Sequence, residues 1–291
     1  MRQTLLQTFK KMSPLGVAAL MLLGTVMSFA APVSQNVARP NRKAMALPAT
    51  PKPKSWSIPI TVESGSTLHA QDTYEREATL ALAISPSIKL SKNLNLSSSV
   101  VMYKEETGAG NSGFDNTPIA LSYRMPLTPQ IAWTNSVAVI LPTNRQLQDE
   151  TTYQGAGKVG TNISFSELFL GSTLSYGVSF TRNVHELQQT NVGGFNMREN
   201  VTQAINHSLP LGRDWSFDTS FVYTYGWTYL DDSRSKFYAG VNLNWNFVKD
   251  WTASLGTSNE GNALKPNGSD SNIEFYNDNS SVVKFSLTYV L

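Results

Sequence analysis

A transmembrane antiparallel up-and-down β-barrel of about twelve strands, all-β throughout, is the fold this sequence predicts. Three observations carry it. One stretch places aromatic residues on alternate positions, a succession of period-two segments is joined by turns of two length classes, and the alternation runs to the last residue. After the first thirty residues no segment approaches the roughly 20 continuous apolar residues of a spanning helix, so any crossing is made by strands.

The aromatic stretch is Trp215 to Tyr229. One parity carries Trp215, Phe217, Thr219, Phe221, Tyr223, Tyr225, Trp227 and Tyr229; the other carries Ser216, Asp218, Ser220, Val222, Thr224, Gly226 and Thr228. Alternate side chains of a strand point to opposite faces, so one face is aromatic and the other small and polar. The run exceeds the about 5–6 residues of a soluble strand. Its Trp and Tyr gather at both ends, where a ring can be buried while its polar atom stays wet. An apolar face toward lipid and a polar face toward a lumen is the pattern of a barrel strand.

The chain begins with targeting information. Arg2, Lys10 and Lys11 form a basic start, Leu15 to Met27 is apolar, and Ser28-Phe29-Ala30 offers small residues for cleavage. Residues 1–30 therefore read as a secretory signal peptide cut after Ala30. An uncleaved anchor is the alternative, for which the apolar run is short. Residues 31–54 hold five prolines and five cations without an acid, and read as a disordered Pro-rich basic tail. It serves either as a periplasmic tether or as a plug that enters the lumen. The barrel is assigned to 55–291.

Charge has to be divided along the chain. Of 23 Lys+Arg, eight lie in the first 54 residues, which leaves the body 15 cations against 21 acids, a net −6. The overall pI near 8.6 is thus no argument for a nucleic-acid partner. The chain has no cysteine, which excludes disulfides, thiolate metal sites and a lipid anchor on cysteine. No motif calls for a metal or a cofactor: the Gly-rich stretches GAGNSG and NVGGF are not followed by a helix, so they are not phosphate-binding loops.

Taken in order, the segments expected to alternate are 55–65, 74–90, 94–106, 117–126, 131–142, 155–168, 172–185, 197–210, 215–229, 236–248, 251–259 and a last strand ending at 291. Gln203 and His207 interrupt the apolar face of 197–210. Short turns at 91–93, 127–130, 169–171, 211–214 and 248–250 alternate with longer connections such as the Gly/Asn-rich TGAGNSGFDN, 143–154 and 260–279. Bacterial barrels put short turns in the periplasm and long loops outside, so both termini are expected on the periplasmic side of a bacterial outer membrane.

The final strand alternates Val283, Phe285, Leu287, Tyr289 and Leu291. It resembles the C-terminal assembly signal of bacterial outer-membrane proteins, carried here by Phe285, Leu287, Tyr289 and Leu291. That resemblance implies recognition by the barrel-insertion machinery. Most members end on Phe, and this chain ends on Leu. The layout of strands and loops over 55–291 is similar to that of small outer-membrane transporters and porins.

Function is read from the inward parity, where Ser, Thr, Asn, Gly and Ala recur and leave room for water. Lys89, Arg124, Lys158 and Lys284 outnumber Asp218 and Glu63 there, and Asn242, Asn244 and Asn246 share a face of one strand. A surplus of one sign biases the solutes that enter. The expectation is a passive pore for small solutes or ions with a mild preference for anions; lumenal salt bridging is the plainer use of the same charges. The acidic outer connections, among them Asp72, Glu75, Asp149, Glu150, Asp231, Asp232 and Asp278, suit either solubility or divalent-cation bridging to lipopolysaccharide.

Three other classes were weighed. A structural or adhesion barrel shares every feature above except solute passage. A rim hydrolase needs a base beside a nucleophile; His185 near Asp231 and Asp232 resembles the sites of outer-membrane proteases, without their spacing, and His207 and Ser208 point to opposite faces. No catalytic residue is therefore assigned. A secreted β-sandwich would share the signal and the alternation, and would be extracted without detergent.

Overall fold

The computed structural model describes residues 54–68, 77–107, 110–265, 270–277 and 281–291. The signal, and the tail up to residue 53, lie outside the described residues. What is described is an antiparallel all-β protein: β1 (Trp56–Ser57), β2 (Pro59–Thr67), β3 (Ala78–Ile84), β4 (Ser87–Lys89), β5 (Leu94–Ser98), β6 (Val100–Glu105), β7 (Ser112–Phe114), β8 (Thr117–Pro126), β9 (Ile131–Leu141), β10 (Tyr153–Phe165), β11 (Thr173–His185), β12 (Met197–Pro210), β13 (Trp215–Thr228), β14 (Ser233–Val248), β15 (Trp251–Asn262) and β16 (Val282–Val290). One helix, α1 (Arg145–Thr151), lies in the connection expected to be a plain loop; the Asn144 side chain caps it by accepting from the Leu147 N–H at 2.9 Å. Among the described residues no helix is long and apolar enough to cross a membrane.

Sixteen strands are formed where about twelve were expected. The cause is local: three of the expected segments, 55–65, 74–90 and 94–106, are each cut in two, and β7 forms within the stretch expected to be a Gly/Asn-rich loop. Pro59 opens β2, Pro86 separates β3 from β4, and Pro118 lies beside the gap between β5 and β6; none has an N–H to give its neighbour. The gaps fall in one row. The Ser85 N–H reaches Pro59 O at 2.9 Å, the Ser98 N–H reaches Pro86 O at 3.0 Å, and the Asp115 N–H, between β7 and β8, reaches Val101 O at 2.9 Å. Hydroxyls bridge the crease: Ser85 and Ser99 lie 3.0 Å apart, and Ser98 Oγ donates to Pro118 O at 2.9 Å.

Pairing then carries the chain back on itself. β10 to β16 pair consecutively, β16 pairs with β2, and β2 leads on through β3 and β6 to β7; β1, β4, β5, β8 and β9 form the second run. Tyr289 faces Ile60 and Leu287 faces Val62 where the last strand meets the first. The ring expected to close is not hydrogen-bonded all the way round. β9 and β10 lie side by side without a ladder. They are tied instead by Ser166 N–H to Gln130 O at 2.8 Å, by Ser164 Oγ to Ala132 O at 3.3 Å, and by the Trp133 indole N–H donating to the Thr161 hydroxyl. A bulge between Tyr153 and Gly155 shifts the register at the α1 end of β10, where Gly155 has φ +134°.

The two faces differ as period two requires. Val62, Leu80, Leu121, Val139, Val159, Leu243, Leu255 and Phe285 stand exposed on the outer face, and the inner face buries Ala83, Ser175, Ser179 and Ala204. One end of the outer face carries a continuous aromatic belt. Trp215 stacks on Trp245 at 5.4 Å, Trp245 meets Phe247 at 5.3 Å, Phe247 meets Trp251 at 6.5 Å, and Trp251 meets Tyr289 at 4.8 Å. At the other end Tyr225 and Trp227 make an edge contact at 4.9 Å. Aliphatic side chains occupy the outer face between these two aromatic groups, the arrangement of a lipid-facing wall.

The inner wall needs glycine at Gly256, because the Asn242 side chain lies across it. A Cβ there would meet that amide and would also sit 2.5 Å from the Val241 carbonyl. Gly256→Ala is expected to cost about 1–3 kcal/mol, the penalty of an overpacked site. Denaturant midpoints followed by the heat-dependent gel shift of the folded barrel measure it.

Candidate functional site

The inner wall of β13, β14, β15, β16 and β2 concentrates the polar side chains. Successive even positions of β14 put Lys236, Tyr238, Asn242, Asn244 and Asn246 on that face, and the register sets Asn242 opposite Asp218 and Asn244 opposite Ser216. Asn244 Nδ2 donates to Asp218 Oδ2 at 2.6 Å and to Ser216 Oγ at 3.1 Å, and the Thr252 hydroxyl donates to Asn246 Oδ1 at 2.7 Å. The three asparagines thus form a ladder that spans three strands. The other carboxylate oxygen of Asp218 is buried without a hydrogen-bond partner.

Next along the wall, Lys284 on β16 approaches Glu63 on β2 at 3.8 Å. Its ammonium also lies 5.9 Å from the centre of the Tyr238 ring. Tyr238 lies over Gly240, where a Cβ would sit 2.6 Å from the Tyr238 hydroxyl oxygen. Two acids of this wall are held, Glu63 by a cation and Asp218 by an amide that leaves its charge in place, while Glu260, opposite Tyr238, makes no ion pair among the described residues.

The cations elsewhere on the inner face are less tied. Lys89 on β4 and Arg124 on β8 are exposed and make no ion pair among the described residues. They lie near the end that carries the belt, where Arg124 N–H donates to Asn93 O at 2.8 Å and Lys89 N–H to Ser55 O at 2.7 Å. Lys158 on β10 also carries the inner parity and is buried, beside Thr181 of β11 in the register. Arg234 and Lys236 extend the cationic set toward the opposite end of β14. Lys236 and Tyr238 escape a sequence reading that follows the outward phase of 236–248 and reads the inward one only at its asparagines, while Arg234 and Glu260 fall outside the expected segments because β14 and β15 extend beyond them.

The rim histidine is not set up for hydrolysis. His185 lies between the rings of Tyr153 and Tyr229, at 5.5 and 5.8 Å, and its Nδ1 has no hydrogen-bond partner. Asp231 is held by Arg198 at 2.7 Å instead. His207 and Ser208 fall on opposite faces of β12. Among the described residues no group of three His, Cys, Asp or Glu side chains could hold a metal.

An antiparallel wall with an apolar outside, aromatic girdles and a polar inside has relatives among solved structures. An outer membrane channel from Pseudomonas putida F1 superposes with a TM-score of 0.53 at 11% identity, covering 84% of this chain and 100% of that one. The fold is that of outer-membrane β-barrels. The NanC porin superposes with a TM-score of 0.52 at 9% identity, over 80% of this chain and 98% of the porin. No protein-family model matches the sequence, and no curated protein does. The barrel shares its strand layout with these channels, while at such identities the side chains of its inner wall are its own.

Asn244→Leu removes two hydrogen bonds at once and leaves the Asp218 carboxylate short of donors. It is expected to destabilise the folded barrel by about 1–3 kcal/mol. Asp218→Asn in the same background should recover part of that loss, because a neutral amide is less costly to leave unpaired. Unfolding titrations of the single and double variants provide the measurement.

Proposed function

We propose that this protein is a passive pore of the bacterial outer membrane that admits small solutes or ions and mildly favours anions. The observation that carries the reading is the surplus of cations on the inner face. Glu63 is paired with Lys284, and Asp218, Glu260 and Glu105 keep their charge, while Lys89, Arg124, Arg234 and Lys236 have no ion-pair partner among the described residues. Lys158 is a further cation of this face. The field of such a surplus reaches about 8–10 Å at physiological salt. Small residues recur on the inner face of β11 and β12, among them Ser175, Ser179, Thr202 and Ala204, where bulky ones would fill the bore. The channel fold of the superposed structures supports the same reading.

Its residence follows from the exposed apolar band between the girdles, with lipid and lipopolysaccharide as its surroundings and the barrel-insertion machinery as its assembly partner. The short turns, among them Lys249-Asp250 between β14 and β15, then face the periplasm together with both termini.

Single-channel recording of the refolded mature protein tests the pore. Discrete ohmic steps are expected, with a reversal potential on the anion side in a salt gradient. Lys89→Glu combined with Arg124→Glu should move that potential toward cations, and 1 M salt should shrink the difference. A folded barrel that never conducts, or one that prefers cations with its native residues, would overturn the proposal.

A further inference from the structure

Within the connection between β15 and β16, residues 270–277 lie against the outside of the wall. Lys265 N–H donates to Asp270 O at 2.9 Å and Asn272 N–H donates to Ala263 O at 2.9 Å. Asn259 shares the outer parity with Leu255, and its amide donates to the Glu274 main-chain carbonyl at 2.7 Å. Beneath this segment Asn259 is 2% exposed, and Phe237 and Ala239, also of outer parity, are buried. The Phe275 ring reaches the Phe221 ring at 6.1 Å.

The depth of that contact is unusual. Asn259 pairs with Ala239, and Ala239 with Phe221, across the sheet. Phe221 lies midway between Trp215 and Trp227 of the two girdles. A strand tilted by about 40° climbs roughly 2.6 Å of bilayer per residue, which places this level inside the hydrocarbon band. Irregular backbone at such depth does not face lipid, because its N–H and C=O groups find no partners there; it persists where protein covers it. Phe275 and Tyr276 nevertheless project from the segment, 74% and 58% exposed.

The same face holds a receptor for such a projection. Tyr176, Gln203, Ile205, Phe221 and Tyr223 line a depression of about 220 Å³ on the outer wall. The Tyr176 hydroxyl donates to Gln203 Oε1 at 3.1 Å, so the amide N–H groups of Gln203 remain for another acceptor. An amide in mid-bilayer is costly against lipid and useful against protein. Phe221 belongs both to the depression and to the contact with Phe275, so knob and hole lie at one depth.

We propose that the outer face of β11 to β15 is an interface between copies of this chain, in which Phe275 and Tyr276 of one copy enter the Tyr176–Gln203–Phe221 depression of the next. Copies of one chain insert with a single orientation and depth, so they are related by rotation about the membrane normal. A knob on one copy therefore meets a hole at its own level on the other. Lipid offers no acceptor for Gln203 at that level and no cover for the loop backbone. The proposal is independent of solute passage.

The chain has no cysteine, which makes cross-linking clean. Two full-length single variants, Phe275→Cys and Ile205→Cys, are co-produced in the outer membrane and oxidised, beside a control pairing of Phe275→Cys with Val139→Cys. A mixed disulfide in the first pair, at least tenfold above the control, is expected. Native mass spectrometry of the unmodified protein from lipid nanodiscs should show a dimer or larger ring. Phe275→Ala with Tyr276→Ala should reduce it to monomer while the heat-dependent gel shift stays intact. A heat-modifiable monomer, with or without bound lipid, or cross-linking no better than the control, overturns the proposal.

Discussion

Everything in this molecule depends on one requirement: inside a bilayer each backbone N–H and C=O must find its partner within the protein. The requirement rolls the sheet until β16 lies against β2, and at the seam of β9 and β10 it is served by isolated bonds such as Ser166 N–H to Gln130 O in place of a ladder. It also makes period two unavoidable, because a strand paired on both sides has only two faces left to address lipid and water. The girdle of Trp215, Trp245, Trp251 and Tyr289 marks where the requirement relaxes and water can again satisfy polar atoms.

The inner wall shows how charge is accommodated under that constraint. Two acids sit where the adjacent strand supplies a donor, as Asn244 does for Asp218 and Lys284 for Glu63, and Glu260 stands exposed near the rim instead. Cations need no such help, because long Lys and Arg side chains reach water from the wall. The balance of the bore is therefore decided by the surplus of cations over acids along its face.

How much of this was legible in the sequence can be argued from particular residues. Strands such as Met197–Pro210 and Trp215–Thr228 are visible in the alternation because burial on one side and lipid on the other impose it over the full length. The breaks at Pro59, Pro86 and Pro118 were legible in principle, since a proline has no N–H for a ladder. The apolar alternation across them masked that signal, and β7 lies in an expected loop, which is why about twelve segments were expected where sixteen strands form. The seam between β9 and β10 was not legible, because whether two neighbouring strands complete their ladder depends on a bulge that no single residue type announces. On the inner wall the asparagine run stood out by composition. Tyr238 did not, since an aromatic residue in the polar phase looks like noise until Gly240 is seen to make room for it.

The row of prolines gives the barrel two mechanically unlike halves. From β10 to β16 each strand is a single element whose register shifts fall near its ends, whereas from β1 to β8 every segment is cut at the same height. Hydroxyl bridges such as Ser85–Ser99 hold that line, and they yield at lower cost than a continuous ladder. The cross-section is thus stiff on one side and compliant on the other. Lateral pressure from the membrane would bend the ring along the crease and make it elliptical, with the short axis set by the chain itself and not by the direction of the load.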